Sequence, residues 1–270
     1  MTAKVITITS GKGGVGKTTI TANLGAALAS LGQKVVCIDA DIGLRNLDVV
    51  MGLENRIVYD LVDVVEGRCR LRQAMIRDKR TEGLFLIPAA QTRDKTAVSP
   101  GDMIRLCAEL SPSQDWIIVD SPAGIERGFR NAIAPADHVY VITNPEISAV
   151  RDADRIIGII EAEEKGPAQL IINRINAEMV RRGDMITTTD IVDLLAIDLL
   201  GIIPEDENVI ISSNRGIPIS LDGESQVGKA FQNISHRMMG KSVPYLDLTY
   251  REGLFKQISN FFTGGGSSNG

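Results

Sequence analysis

The 270-residue sequence is poor in aromatic side chains, at 4 %, and contains only three cysteines. Its apolar share of 44 % comes mainly from Ile, Val, Leu and Ala, which suits buried parallel strands covered by helices. Cys37, Cys69 and Cys107 are odd in number and widely spaced, so neither a disulfide framework nor a CxxC metal site is predicted. A chain of this length and composition can build one large domain with a substantial core.

The sequence also lacks a long apolar run and an excess of positive charge. No run approaches the roughly 18 residues of a membrane-spanning helix, and no signal peptide is recognisable before the first apolar segment. The net charge of −5 argues against a broad nucleic-acid-binding surface. We therefore expect a cytoplasmic protein without a nucleic-acid partner, although a plastid stromal protein that has lost its transit peptide would look the same.

Short apolar runs, most of them β-branched, alternate with helix-like stretches along the chain. The runs cover residues 5–9, 34–39, 84–89, 116–120, 138–143, 169–173 and 199–203. The helix-like stretches include residues 20–29, 148–162 and 189–197. This alternation predicts a doubly wound α/β fold, with a mainly parallel sheet flanked by helices on both faces. No linker rich in Pro, Gly or Ser interrupts it, so residues 1–249 are predicted to form one domain.

A glycine-rich motif lies between the first predicted strand and the first predicted helix. It consists of Gly11, Lys12, Gly13, Gly14, Val15, Gly16, Lys17, Thr18 and Thr19. A strand, this motif and a helix, in that order, are the context of a P-loop. The glycines let backbone N–H groups turn towards phosphate oxygens at the positive end of the helix dipole. We expect Lys17 to neutralise the β- and γ-phosphates and the Thr18 hydroxyl to bind Mg²⁺.

Carboxylates follow two of the predicted strands. Asp39 and Asp41 end the second run, and Asp120 ends the run at 116–120 in a Walker B arrangement. Ligands of open α/β sheets bind beyond the carboxyl ends of the strands, and period-two alternation directs Asp39 and Asp41 to the same side. Asp39 is predicted to support the Mg²⁺ shell. Asp120 is predicted to hold Mg²⁺ through a water, since Mg²⁺ usually retains several waters.

The motif K-G-G-V-G-K-T-T carries a lysine directly after its first glycine, which an ordinary P-loop does not require. It resembles the deviant Walker A motif of the MinD/ParA ATPase family, as do the stretches G-L-R-N-L-D, D-S-P-A-G and I-P-E-D. The resemblance implies ATP hydrolysis and an ATP-dependent homodimer, in which Lys12 reaches the phosphates of the partner. It implies that Asp41 orients or activates the attacking water. Asn46 would contact phosphate or water across the dimer.

The resemblance also implies where the adenine base is held. Asn173 would contact the base by its side chain, and the stretch Pro204, Glu205 and Asp206 would contact it largely by backbone. Ordinary turn chemistry at strand ends is the alternative explanation of these residues. No N-K-x-D sequence is present, which would have favoured guanine.

Partners follow from the same resemblance. It implies a MinC-like division inhibitor that is recruited to the membrane and a MinE-like activator that stimulates hydrolysis. Arg151, Asp152 and Asp154 match the family's partner-binding region near the dimer interface. The alternative for these three residues is the ordinary charged start of a helix.

The C-terminal residues show a helical apolar spacing. Its members are Tyr250, Leu254, Phe255, Ile258, Phe261 and Phe262, all on one face. Residues 250–262 are therefore predicted to form an interfacial membrane helix that holds the protein at the inner face of the cell membrane in its ATP state. A helix docked on the core is the alternative. Residues 263–270 cannot bury apolar surface and are predicted to be disordered.

Other functions of a P-loop protein remain to be weighed against this one. A ParA-like DNA-segregation ATPase would need a basic surface, which the net charge of −5 does not favour. An iron–sulfur reductase would need a cysteine after the Walker B aspartate, and none follows Cys107. A metabolic P-loop ligase would leave the apolar face at 250–262 unexplained.

Overall fold

The computed structural model describes residues 2–94 and 96–246. Its strands are β1 (Lys4–Thr9), β2 (Val35–Asp39), β3 (Ile76–Arg77), β4 (Leu84–Ile87), β5 (Trp116–Asp120), β6 (His138–Thr143), β7 (Ala168–Ile175) and β8 (Asp198–Pro204). They form one sheet in the order β3-β4-β2-β5-β1-β6-β7-β8. Only β3, at one edge, runs antiparallel to its neighbour in this sheet. The predicted doubly wound, mainly parallel α/β fold is confirmed.

Helices lie between most of the strands, and the last two helices follow β8. They are α1 (Lys17–Ser30), α2 (Leu47–Val50), α3 (Leu61–Val65), α4 (Leu71–Ala74), α5 (Pro100–Leu110), α6 (Arg127–Ile133), α7 (Ile147–Ala162), α8 (Ala177–Arg182), α9 (Thr188–Leu195), α10 (Asn208–Asn214) and α11 (Gln226–Met238). Short 3₁₀ turns cover Glu54–Arg56 and Ile219–Leu221. No helix within the described residues combines the length and apolarity that crossing a membrane requires.

The element boundaries differ from the sequence predictions where local backbone chemistry intervenes. The first helix begins at Lys17, three residues before the predicted start, because Gly16 turns the chain into it with φ 102°. Helix α9 ends at Leu195 because Ala196 takes a left-handed conformation with φ 52°, a role usually given to glycine. The edge strand β3 and helix α11 were not predicted. The boundary at 249 and both predicted segments after it lie outside the described residues.

Alternate side chains of each central strand enter two different cores. Ile118 of β5 packs with α1 and α11 on one face. Its neighbours Ile117 and Val119 pack with α3 and α5 on the other. Farther along the second face, α7 covers β6 and β7. The sheet is therefore covered on both faces, which leaves the carboxyl ends of its strands as the natural place for a ligand.

Two glycines allow helices to approach the sheet closely. A Cβ atom added to Gly25 of α1 would lie 2.5 Å from Sγ of Cys37. A Cβ atom on Gly201 of β8 would lie 2.3 Å from Cγ1 of Ile234 on α11. These contacts hold α1 and α11 closely against the same face of the sheet.

We expect Gly201→Ala to lower the free energy of unfolding by roughly 1–3 kcal/mol, because the added methyl group overpacks the contact with Ile234. Gly158→Ala is the matched control, since Gly158 lies in α7 with no atom within 4 Å of the added Cβ. The control should gain roughly 0.5–1 kcal/mol from the removal of a helical glycine. Urea unfolding measures both, and equal effects of the two substitutions would contradict the packing argument.

Candidate nucleotide site

The glycine-rich loop connects β1 to α1 and turns through two left-handed glycines. Gly14 has φ 79° and Gly16 has φ 102°, conformations that side chains other than glycine rarely adopt. Lys17 is the first residue of α1 and is 8 % exposed. Its Nζ atom donates a hydrogen bond of 3.1 Å to Oγ of Ser10, which in turn donates 2.8 Å to the carbonyl of Lys12. Lys17 therefore folds back along the inside of the loop.

Strand register brings two carboxylates face to face beside this loop. Asp39 pairs with Asp120 in the β2–β5 ladder, and both are 1 % exposed. Burial and then the charge of Asp39 raise the pKa of Asp120 to about 8. Hydroxyl groups of Thr18 and Thr21 hydrogen-bond to Asp120, the latter at 3.3 Å. Burial lowers the pKa of Lys17, and the charges of Asp120 and Asp41 oppose that shift.

Asp39 organises the loop that follows β2. One of its oxygens accepts the backbone N–H of Asp41 at 3.0 Å, and the other accepts those of Asn46 and Leu47 at 3.1 Å each. Burial raises the pKa of Asp39 to about 6, although these three hydrogen bonds act in the opposite direction. The observed role of Asp39 is to shape this loop. Its predicted support of the Mg²⁺ shell stays a prediction.

Asp41 and Asn46 lie at the two ends of this loop. The carbonyl of Asp41 accepts N–H groups from Leu44 and Arg45 at 3.1 and 3.3 Å. Asn46 is exposed and stands at the N-cap of α2, without a side-chain capping bond. Both predicted residues thus lie on the loop that borders the phosphate-binding motif, as strand polarity required. The roles assigned to them stay predictions.

The donor set fits a magnesium–nucleotide ligand. Two buried carboxylates with raised pKa values face each other next to a threonine hydroxyl, and the charge of Lys17 acts on Asp120. A divalent cation would relieve their repulsion, and oxygen ligands are those that Mg²⁺ prefers. Thr18 and Asp120 are therefore the residues suited to hold the ion.

A cavity of about 350 Å³ opens beside the end of the glycine-rich loop. Its lining includes Gly16, Thr19, Asn173, Pro204, Glu205, Asp206, Ile210 and Phe231. Nδ2 of Asn173 donates 2.8 Å to the carbonyl of Val15, and a Cβ atom on Gly16 would lie 2.5 Å from that nitrogen. The structure thus brings together the loop and both predicted base-binding segments, which are far apart in sequence.

Lys12 behaves differently from Lys17. Its side chain is 44 % exposed and its Nζ lies 3.2 Å from Oε2 of Glu146 and 3.5 Å from Oγ of Ser148. Gly11 packs on the start of α7, because a Cβ atom there would lie 2.1 Å from the carbonyl oxygen of Asp152. The loop therefore contacts the helix start that carries the predicted partner-binding residues.

Of the predicted partner-binding residues, Arg151 and Asp154 are exposed on α7, and Asp152 is partly buried against the loop. Sequence reasoning missed Ser10, Thr21 and Glu146, which contact Lys17, Asp120 and Lys12. Thr21 could have been found, because it follows Thr18 by three residues on a helix and so shares its face. Glu146 lies far from the motif in sequence and carried no comparable signal. The predicted membrane residues lie outside the described residues.

Fold and site together define a P-loop nucleotide-binding protein with a second, exposed lysine in its loop. A family model described as the CobQ/CobB/MinD/ParA nucleotide binding domain matches residues 6–219. The chain is 54 % identical over 262 residues to the septum site-determining protein MinD of Bacillus subtilis, covering 96 % of this chain and 98 % of that protein. The chain belongs to this family, in its MinD branch, and the family resemblance of the sequence is confirmed.

Solved structures agree with this assignment. MinD in the MinC:MinD cell division complex of Aquifex aeolicus superposes with a TM-score of 0.85 at 49 % identity, covering 91 % of this chain and 99 % of that chain. MinD of Pyrococcus horikoshii complexed with Mg-ADP gives 0.79 at 30 % identity, covering 87 % and 96 %. Nucleotide binding and a place among septum-determining cell-division ATPases follow from family membership.

We expect Asp120→Asn to flatten the loss of stability of the nucleotide-free protein as pH rises from about 5 to about 8. The folded-state pKa of about 8 lies above the unfolded value of about 3.9, so between these values the folded protein binds a proton that the unfolded chain does not. The free energy of unfolding therefore falls as pH rises from the lower value to the higher. Urea unfolding across this range measures the slope. Asp193→Asn, on the exposed part of α9, is the control; identical slopes for Asp120→Asn and wild type would refute the argument.

Proposed function

We propose that the protein is a Mg²⁺-dependent ATPase that dimerises with ATP and cycles between cytoplasm and inner membrane face. In this role it recruits a MinC-like division inhibitor to the membrane and so positions the division septum. The observation that carries the proposal is the contrast between the two lysines of one loop. Lys17 is buried along its own loop, whereas the side chain of Lys12 is 44 % exposed and points away from it.

Lys12 is available to a second nucleotide site at little energetic cost. Its ion pair with Glu146 joins two side chains that are 44 % and 55 % exposed. Exposed pairs of this kind contribute at most about 1 kcal/mol. A dimer that presented a partner's phosphates to Lys12 would therefore replace a weak contact by a strong, charge-assisted one. The lysine would then meet negative charge that develops during phosphoryl transfer.

The remaining residues divide the work of hydrolysis. Lys17 and the backbone N–H groups of the loop would hold the phosphates, and Thr18 and Asp120 would hold Mg²⁺. When bound, Mg²⁺ would neutralise phosphate charge and reduce the repulsion between the two buried carboxylates. Asp41 lies on the loop anchored by Asp39, where it would orient the attacking water. Asn173 and the stretch 204–206 line the cavity for adenine.

The start of α7 is suited to report the nucleotide state to a partner. Lys12 contacts Glu146 and Ser148 there, and Gly11 packs on the backbone of Asp152. A movement of Lys12 towards a dimer partner would release Glu146 beside the charged residues Arg151 and Asp154. The Aquifex relative was solved as a MinC:MinD complex, which supports an inhibitor partner here. A MinE-like activator that acts on the same face would couple its binding to hydrolysis.

We expect Asp41→Ala to bind ATP but to hydrolyse it at least about 100-fold more slowly, because the attacking water loses its positioning group. The ATP dimer should then be long-lived. Single-turnover hydrolysis and size-exclusion chromatography with ATP measure the two effects, with Asp193→Ala as a surface control. A wild-type rate of hydrolysis in Asp41→Ala would contradict the role of Asp41 in positioning the water.

Membrane residence is tested by co-sedimentation with anionic liposomes in ATP, in ADP and without nucleotide, for the full chain and for a chain ending at Thr249. We expect the full chain to pellet with the liposomes in ATP but not in ADP or without nucleotide. The shorter chain should remain in the supernatant in all three conditions. A dimer carries two copies of the apolar segment, and their joint binding exceeds that of one copy by roughly 100-fold or more. Failure of the full chain to pellet with ATP would remove the membrane step and favour a docked C-terminal helix.

A further inference from the structure

Two segments that follow different parts of the candidate nucleotide site in the chain contact each other. Helix α2 follows the loop that carries Asp41 and Asn46, and α10 follows the base-binding stretch at 204–206. They converge where Gly52 and Gly216, with φ 62° and 63°, pack backbone to backbone. A Cβ atom on Gly216 would lie 2.5 Å from Cα of Gly52, so neither position has room for a side chain.

Arg80 bridges these two segments. Its guanidinium donates to the carbonyl of Met51, at the end of α2, and to the carbonyl of Gly216, just after α10. It comes from the turn between β3 and β4, a third part of the chain. Backbone carbonyls at helix ends have no partner within the helix. The planar fork of arginine holds two such bonds in fixed directions, whereas the donors of a lysine ammonium rotate on a flexible stem.

Asp78 holds this guanidinium in place. Its side chain is 1 % exposed and accepts from Nη2 of Arg80 at 2.6 Å and from Nε at 3.2 Å. Burial alone would raise the pKa of Asp78, but the hydrogen bonds from Arg80 lower it below its ordinary value. The carboxylate also accepts the backbone N–H groups of Arg80 and Thr81, so the turn itself is fixed.

Helix α2 is thereby held at both ends. Asp39 accepts the N–H groups of Asn46 and Leu47 at its start, and Arg80 binds the carbonyl of Met51 at its end. The segment around Gly216 is in turn tied to α1, because the N–H of Ser220 donates 2.8 Å to Oδ1 of Asn23. The base-binding side and the water-positioning side of the site therefore share one bridge.

We propose that Arg80 is a positioning residue that couples the base-binding segment to the loop bearing Asp41 and Asn46. Nucleotide bound against the stretch at 204–206 stabilises α10 and the Gly216 carbonyl, and Arg80 transmits that order to the end of α2. The link to catalysis rests on the proposed ATPase function. The coupling itself requires only nucleotide binding.

The test is hydrogen exchange of residues 41–53 and 204–217 with and without Mg-ADP, in wild type, Arg80→Gln and Arg80→Lys. In wild type we expect Mg-ADP to slow exchange in both segments. In Arg80→Gln, Mg-ADP should still slow exchange at 204–217. The factor by which it slows exchange at 41–53 should be about tenfold smaller than in wild type. Arg80→Lys should lie between, because lysine keeps the positive charge but loses the rigid planar fork that fixes both bonds. Arg77→Gln is the matched control, since the Arg77 side chain is 60 % exposed and, in the described part of the chain, forms an ion pair with Glu82 alone, at 3.8 Å.

Three outcomes would overturn the coupling: no slowing at 41–53 in wild type, full slowing there in Arg80→Gln, or faster exchange in both segments regardless of Mg-ADP. The last would mean that Arg80 only stabilises the fold. If Arg80→Gln does not fold, Arg80→Lys decides by the same criteria. Single-turnover hydrolysis should also fall about tenfold in Arg80→Gln, with ADP affinity little changed. Normal coupling in a wild-type protein that hydrolyses no ATP would refute the proposed function and leave the coupling intact.

Discussion

Two buried carboxylates that face each other across paired parallel strands constrain the whole site. Asp39 and Asp120 occupy matched positions of β2 and β5, each 1 % exposed. Burying two like charges side by side is unfavourable unless hydrogen-bond donors and cations surround them. The glycine-rich loop, Lys17 and the threonine hydroxyls of α1 supply part of that environment, and Mg²⁺ would complete it. Stability, metal binding and loop shape therefore depend on one pair of strands.

The loop after β2 shows how this constraint reaches function. Asp39 fixes both its beginning and its end through backbone N–H groups, which leaves Asp41 and Asn46 on a short, anchored segment. Arg80 then binds the far end of the following helix. The loop that carries Asp41 and Asn46 is thus supported from the sheet on one side and, through Arg80, from the segment after α10 on the other. The site is buried at Lys17 and exposed at Lys12.

Particular residues explain which features were predictable. The central strands could be predicted because strands buried on both faces of a sheet contain unbroken, β-branched apolar runs, as at Trp116–Asp120. The loop was visible because phosphate binding demands its glycines at set spacing. Strand β3 was not, because two residues carry no periodic signal. The end of α9 was missed because Ala196, and not a glycine, adopts the left-handed conformation.

The fold class, the phosphate-binding loop and the family can be read from the sequence alone, since each depends on local order: strand, glycines and lysine follow one another along the chain. The contacts between distant side chains, in contrast, became visible in the three-dimensional structure. Asn173 touches the loop across 158 positions, and Arg80 reaches Gly216 across 136. Such contacts follow from strand order and helix packing, which bring remote segments together in three dimensions. Local periodicity cannot encode them, because it describes only residues that are neighbours along one element.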